Sequence, residues 1–378
     1  MADRTATLPG GSPADGATDD FLRIKAIDHV EFWVGNARQT AFYYQHAFGF
    51  TPVAYAGLET KVRDRASYVL QQGKIRFVVS APYGPGDPMA EHVHRHGDGV
   101  RDIALEVEDV DRAYRETVKR GATGVQEPVT VEDGNGSIRR AAIATYGDTI
   151  HSFVDRSAYR GAFWPGYAAL DATPQDGPLL YVDHVVGNVP LGDMNRFVAF
   201  YRDILGFSQF IHFDDKDIST EYSALMSKVM SGGAGKVKFP INEPAEGKRK
   251  SQIQEYLDYY GGPGVQHIAL ATSDIVDTVT RLRGYGVQFL TVPPSYYEML
   301  PGRVGRIDED LAELARLGIL VDRDEEGYLL QIFTKNVLDR PTVFFEVIER
   351  KGSRGFGKGN FKALFEAIER EQAMRGNL

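Results

Sequence analysis

Two periods alternate along this chain. Short runs in which every second residue is apolar read as half-buried strands, and stretches in which apolar residues recur at three- and four-residue spacing read as amphipathic helices. Asp28 to Val34 and Asp102 to Glu108 are of the first kind, each followed by a helical stretch that ends in glycine. In the second half, Phe197, Phe200, Tyr201, Ile204 and Leu205 place one apolar helix face against a sheet. The order of strand, helix and further strands then recurs. Ile27 to Phe50 matches Val182 to Phe207 from the Asp-His-Val start to the closing Gly-Phe, and Gly99 to Ala122 aligns with Gly264 to Val287. Thr149 to Arg156 aligns with Thr342 to Arg350, with a small length difference. The pattern predicts one architecture used twice, with two strand-helix-strands units in each half.

Domain bounds follow from the repeat. Residues 1–20, rich in Ala, Gly, Thr, Pro and Asp, read as a disordered tail; 21–156 and 180–353 are the two domains; 157–179, with its small residues and aromatic anchors, is the linker. Two insertions interrupt the second half, the Gly-rich SGGAGK turn and RIDEDLAELARLG, a helix opened by acidic residues at its positive end. Residues 354–378 begin with alternating Gly355, Gly357 and Gly359, a permissive joint. Asn360 then stands where it can cap a helix carrying Phe361, Leu364, Phe365 and Ile368 on one face, which describes a lid.

Composition narrows the function class. A chain of 378 residues with 43% hydrophobic content can bury two ordinary cores, and a net charge of -9 argues against nucleic acid or an anionic membrane as partner. Without cysteine, disulfides and thiolate metal ligands are excluded. No signal-peptide core and no membrane-length apolar run is present, so a cytoplasmic location is expected.

The two halves differ in the chemistry they offer. At the three registered positions the first half presents His29, Asp102 and Phe153, and the second presents His184, His267 and Glu346. Phenylalanine cannot coordinate a metal, so the second site is expected to be the live one. Strand parity puts each of its three residues on a mostly apolar face, where a carboxylate costs several kcal/mol unless something positive meets it. Two imidazoles and one carboxylate form the facial triad that suits non-haem Fe(II) and leaves positions open for substrate and dioxygen. The alternating His92, His94 and His96 could bind zinc on a strand, but their neighbours read as a solvated loop before the Asp102 strand.

This layout resembles the vicinal oxygen chelate superfamily, α+β proteins in which paired βαβββ modules curl into half-open barrels around a metal. Within it the chain is similar to the 4-hydroxyphenylpyruvate dioxygenase family, on the motifs FPINEP at Phe239 to Pro244, KRKSQIQEYLDYYGGPGVQHIAL at Lys248 to Leu270, LLQIFTK at Leu329 to Lys335 and RGFGKGNFKALFEAIEREQ at Arg354 to Gln372. The resemblance implies one Fe(II) per chain on His184, His267 and Glu346. It also implies a pocket for the keto acid lined by Ser223, Asn242, Gln252, Gln331, Phe333, Phe356 and Phe361. The implied reaction takes 4-hydroxyphenylpyruvate and dioxygen to homogentisate and carbon dioxide without added oxoglutarate, in a homodimer or homotetramer. Gln266 belongs to the family pattern, but its strand parity is opposite to that of His267, so contact with the site would need a twist or bulge and it is left out. A hydroxymandelate synthase acting on the same substrate and an extradiol catechol dioxygenase are the competing activities. A non-enzymatic binding module of the same superfamily should lack a complete triad.

Overall fold

The structure, a computed structural model, describes residues 20–174, 176–213, 224–245, 247 and 249–377. Nearly all of the expected tail lies outside them. The paired modules of the sequence reading are present in both halves.

In the first module the strand Ile24–Trp33 leads into the helix Ala37–Phe48, and three strands, Thr51–Ala56, Arg65–Gln72 and Ile75–Pro82, fold back so that the last lies parallel to the first. Local chemistry sets the helix ends. The Asn36 side chain accepts from the Gln39 N–H at the start, and Gly49, at a φ of 75°, closes the far end in the left-handed region. The second module, Gly99–Val107 followed by the helix Val110–Lys119 and the strands Gly124–Asp133, Gly136–Ala144 and Ile150–Asp155, repeats the plan. The leading strands of the two modules pair antiparallel, which merges them into one curled nine-stranded sheet. Its ninth strand, Ala168–Ala169, comes from the linker and pairs with Thr51–Ala56.

The second half builds an eight-stranded sheet in the same way around the antiparallel pair Leu179–Asn188 and Gly264–Thr272. Its helices start at Met194 and Ile275, the first continuing as a π-helical turn over Phe200–Ile204, and Asp274 caps the second much as Asp109 caps its counterpart. SGGAGK is a tight hairpin turn between the strands Ala224–Gly232 and Val237–Ala245, so it inserts nothing into the module. The other insertion is longer than RIDEDLAELARLG: it holds the expected helix, Leu311–Leu317, and before that segment an unexpected one, Pro294–Val304, entered through two prolines. Among the described residues no helix is long and apolar enough to cross a membrane.

A further correction concerns His92, His94 and His96. They lie on a helix, Pro88–His96, opened by an Asp87 cap with Pro88 at its first position and closed by Gly97. Helical period puts His92 and His96 together on the buried face and leaves His94 in solvent.

The halves meet through an aromatic seam. Phe345 of the second sheet reaches Tyr44, Phe48 and Phe77 of the first, with ring centroids 5.7, 5.1 and 5.9 Å away. Its counterpart His151 lies against Tyr201 and Phe239 of the second half, at 5.7 and 5.2 Å. Each half thereby supplies part of the other's core, which fixes how the two sheets stand and where the second one opens.

Candidate metal centre

Two β-bulges shape the site. Where Leu179–Asn188 pairs with Gly264–Thr272, the register steps between Val182 and His184 and again between Val186 and Gly187, so Asp183 and Gln266 are extra residues that face no partner in the ladder. A bulge residue escapes strand parity. Asp183 therefore stands beside His184, its carboxylate 2.8 Å from the His184 Nδ1, and the Gln266 amide oxygen is 2.9 Å from the His267 Nδ1. Gln266, left out on parity, lines the site after all.

Glu346 arrives on the neighbouring strand Phe344–Lys351, paired parallel with Ala269. Its Oε2 is 3.1 Å from the His184 Nε2 and 3.5 Å from the His267 Nε2, and the donor atoms of the three side chains lie within 4.8 Å of one another. His184 and Glu346 are buried, and the His267 side chain is 11% exposed.

Proton accounting shows what the cluster asks for. A carboxylate and an amide oxygen can only accept, so Asp183 and Gln266 hold the proton of each imidazole on Nδ1 and leave both Nε2 lone pairs aimed at the Glu346 carboxylate. Three acceptors pointing at one spot need a cation between them. Without a metal, a proton on the His184 imidazole fills that role. Burial works against the charged form of Glu346, yet the charge and hydrogen bond of His184, and then those of His267, outweigh it and hold the carboxyl at about 2. Burial also opposes charge on His184, but Glu346 and Asp183 raise it above the ordinary imidazole value, whereas at His267 burial wins and lowers it. The residues present therefore fit a divalent metal with a neutral-imidazole, carboxylate preference. Behind them, Arg350 grips Asp183 with two hydrogen bonds of 2.8 Å and Lys238 stands 3.9 Å away, which keeps Asp183 ionised well below the usual carboxylate range despite its burial.

A pocket opens over the three donors. Of the residues the sequence implied, Asn242, Gln252, Phe333, Phe356 and Phe361 line it. Phe356 meets His184 edge-on at 4.9 Å, and Phe333 meets His267 at 5.9 Å. Gln331 is buried but does not line this cavity. Its amide lies against the backbone of Gly357, where φ is 75° and an added Cβ would come within 2.4 Å of the amide nitrogen. Ser223 lies outside the described residues. Two residues that the sequence does not single out also line the pocket: Ser227, which follows Ser223 at strand spacing, and Phe344, stacked on His267 at 4.8 Å.

The helix Phe361–Met374 closes one side, with Leu364, Phe365 and Ile368 on the pocket wall. Its joint is pinned, contrary to expectation. Gly355 and Gly359 donate to Asp324 and Asp322, and Asn360 caps nothing because its side-chain oxygen accepts from Tyr296 and Arg303. At the far end Arg375 and Asn377 hold the buried Glu255.

The first half keeps the frame and loses the donors. Asp28 is again a bulge residue, 2.6 Å from the His29 Nδ1 and held by Arg156 as Asp183 is by Arg350. The parallel register of Asp102 with Ile150 and of Leu105 with Phe153 places Ser152, and not Phe153, where Glu346 stands in the second sheet. Aligning Thr149 with Thr342 shifts the segment by one residue, because the extra residue of the second half precedes its strand. The Ser152 hydroxyl and N–H both donate to Asp102, whose carboxyl burial pushes up.

Comparison with known proteins bears on both halves. Residues 19–165 match the family model described as "Hydroxyphenylpyruvate dioxygenase, HPPD, N-terminal", and residues 181–332 match the "Glyoxalase/Bleomycin resistance protein/Dioxygenase superfamily". The 4-hydroxyphenylpyruvate dioxygenase of Dictyostelium discoideum is 51% identical, covering 94% of this chain and 100% of the relative; that of Yarrowia lipolytica is 46% identical, with 100% of both chains covered. The chain belongs to the 4-hydroxyphenylpyruvate dioxygenase family. Among solved structures, a triple mutant of the 4-hydroxymandelate synthase from Streptomyces coelicolor is similar to it, with a TM-score of 0.85, 33% identity, and coverage of 92% of this chain and 99% of that one. The duplicated vicinal oxygen chelate fold that the sequence predicts is thus shared with a second activity.

Proposed function

We propose that this chain holds one Fe(II) on His184, His267 and Glu346 and converts 4-hydroxyphenylpyruvate and dioxygen to homogentisate and carbon dioxide. The observation that carries the reading is the meeting of three acceptor atoms from three strands at the floor of a mostly apolar pocket. When bound, Fe(II) supplies the redox chemistry that couples loss of the keto acid's carboxyl group to oxidation of the ring.

The protein's own part is to orient and to exclude water. Phe333, Phe344 and Phe356 surround the two histidines and fix the plane in which the aromatic ring can lie. Asn242, Ser227 and Gln252 carry uncharged donors and acceptors that bind the substrate's phenol or carboxylate without competing for the metal. Gln331, buried with neither amide atom hydrogen-bonded, lies outside this cavity and would have to turn to reach a bound phenol. Phe361 and the helix it opens keep bulk water from the oxidised ring. We place the enzyme in the cytoplasm as a homodimer or homotetramer.

The second reading is oxidation at the benzylic carbon, as the name of the hydroxymandelate synthase describes. Anaerobic loading with Fe(II), addition of 4-hydroxyphenylpyruvate, admission of oxygen and identification of the product test both. Homogentisate with one carbon dioxide per oxygen is the expected result. Hydroxymandelate leaves the metal assignment standing and overturns the named reaction, and turnover of catechols in place of the keto acid overturns both keto-acid reactions.

A further inference from the structure

A second cluster of ligand-bearing side chains lies outside the catalytic pocket, on the seam between the halves. His92 and His96 stand one helical turn apart on the buried face of Pro88–His96, and Asp148 reaches them from the turn before the strand Ile150–Asp155. We propose that these three residues form a structural site for a divalent cation of the zinc class. Its ligands would be two imidazoles and one carboxylate, with water in the fourth position.

Geometry and proton accounting carry the argument. The Asp148 Oδ2 is 2.8 Å from the His96 Nε2 and 3.8 Å from the His92 Nδ1, and the ligand atoms of the three residues fall within 4.8 Å of one another. The His96 Nδ1 is 2.5 Å from the backbone carbonyl oxygen of Tyr260, which can only accept. A neutral His96 therefore keeps its proton on Nδ1 and turns a bare Nε2 toward the carboxylate. Two acceptors at that distance need a positive centre between them.

His92 supplies an independent observation. It is 3% exposed, and neither of its ring nitrogens has a hydrogen-bond partner. Leaving such a group unpaired is costly, and a coordinate bond removes that cost.

The Asp148 side chain is 40% exposed, so an ion has a way in. Two cations oppose it: Arg95 lies 3.8 Å from the same Oδ2, and Arg101 donates to the Asp148 carbonyl. Zinc binds such a donor set more tightly than ferrous iron does. Through Tyr260 the ion would tie the first half to the helix Gln252–Tyr260, whose first residue lines the catalytic pocket. It is a clamp across the seam.

The test uses the iron-loaded protein under nitrogen, given a small excess of zinc chloride, desalted, and read for both metals, melting temperature and turnover. One zinc retained per chain with iron and turnover unchanged, and a raised melting temperature, is expected. His92→Gln and Asp148→Asn should each weaken zinc retention by about tenfold or more while leaving iron and turnover alone. Asp148→Asn keeps size and a partly exposed position, so it remains informative if His92→Gln fails to fold. No retained zinc shows a proton-bridged imidazolium–carboxylate pair in its place and overturns the site. Retention only by displacing iron, or undiminished retention in both variants, overturns it equally.

Discussion

The two halves of this molecule differ far less in frame than in chemistry. Each has a bulge aspartate gripped by an arginine and bonded to the next histidine, Asp28 with Arg156 and His29, Asp183 with Arg350 and His184. Each covers that histidine edge-on with a later phenylalanine, Phe163 at 5.3 Å and Phe356 at 4.9 Å. What separates them is a pair of side chains, Asp102 and Ser152 against His267 and Glu346. In the first sheet the serine satisfies the aspartate and no inward charge is left uncompensated. A candidate metal site is thus lost by two substitutions, while the ion pair that would orient its ligands persists as structure.

The largest effect comes from the donors themselves. His184→Ala, His267→Ala and Glu346→Ala should each abolish iron retention or turnover, whereas His29→Ala should leave both largely intact. Metal analysis beside oxygen-electrode rates checks this. Loss of iron in His29→Ala with retention in His184→Ala would reverse the assignment of the halves.

The orienting arginines come next. Arg350→Gln strands the buried Asp183 and frees His184 to turn, which should lower iron affinity about 10- to 100-fold. The matching Arg156→Gln leaves Asp28, whose side chain is 1% exposed, to His29 and to Arg76 at 3.5 Å, and should cost about 3 kcal/mol of stability with kcat unchanged. Chelator competition and urea unfolding read the two apart. An equal loss of iron in both variants would mean that the first half still takes part in metal binding.

The covering rings should differ in the same sense. Phe356→Ala removes a ring from the pocket and should lower kcat/KM roughly fivefold, since an aromatic pair contributes about 1 kcal/mol. Phe163→Ala opens a cavity under the linker, costing about 3 kcal/mol of stability with kcat/KM unmoved. A fall in kcat/KM for Phe163→Ala would show that the two pockets are coupled.

Why the repeat is legible, and where it stops being so, follows from particular residues. His184, His267 and Glu346 stand out because the chain contains its own alignment, and a polar residue on an apolar strand face is conspicuous. Ser152 is hidden because the second half carries one extra residue between Thr342 and its strand, and the residue that fixes the register, Arg156, declares itself only through its grip on Asp28. Gln266 is hidden because parity holds along a regular strand and fails at a bulge. His92 and His96 satisfy both a strand and a helix period. The Pro88 start and Gly97 stop are the signals that choose the helix. Asn360 has the right type and place for a cap, and is drawn off by Tyr296 and Arg303 from an insertion distant in sequence.

The last contrast lies at the seam and leaves neutral-pH chemistry untouched. His151 and Phe345 occupy equivalent places, but the histidine replaces ring packing with two hydrogen bonds. Its Nδ1–H donates to the Ile103 carbonyl, and its Nε2 accepts from the Tyr201 hydroxyl, at 2.9 Å each. That pattern suits the neutral ring, and burial lowers its titration to about 4 from an unfolded value of 6.5. Below pH 6.5 the unfolded chain takes up a proton that the folded chain refuses, so this residue's contribution to stability is intact at neutral pH and is lost as the pH falls toward 4. Between pH 7 and 5 the loss is about 2 kcal/mol. His151→Phe, which copies the second half into the first, should shift stability by a constant amount from the lost hydrogen bonds and remove this slope. Urea unfolding of both proteins at pH 7 and 5 reads the difference, in which the remaining titrating groups cancel. An unchanged slope would show that His151 is already charged in the fold, and that the seam tolerates a buried cation where its mirror position holds a phenyl ring.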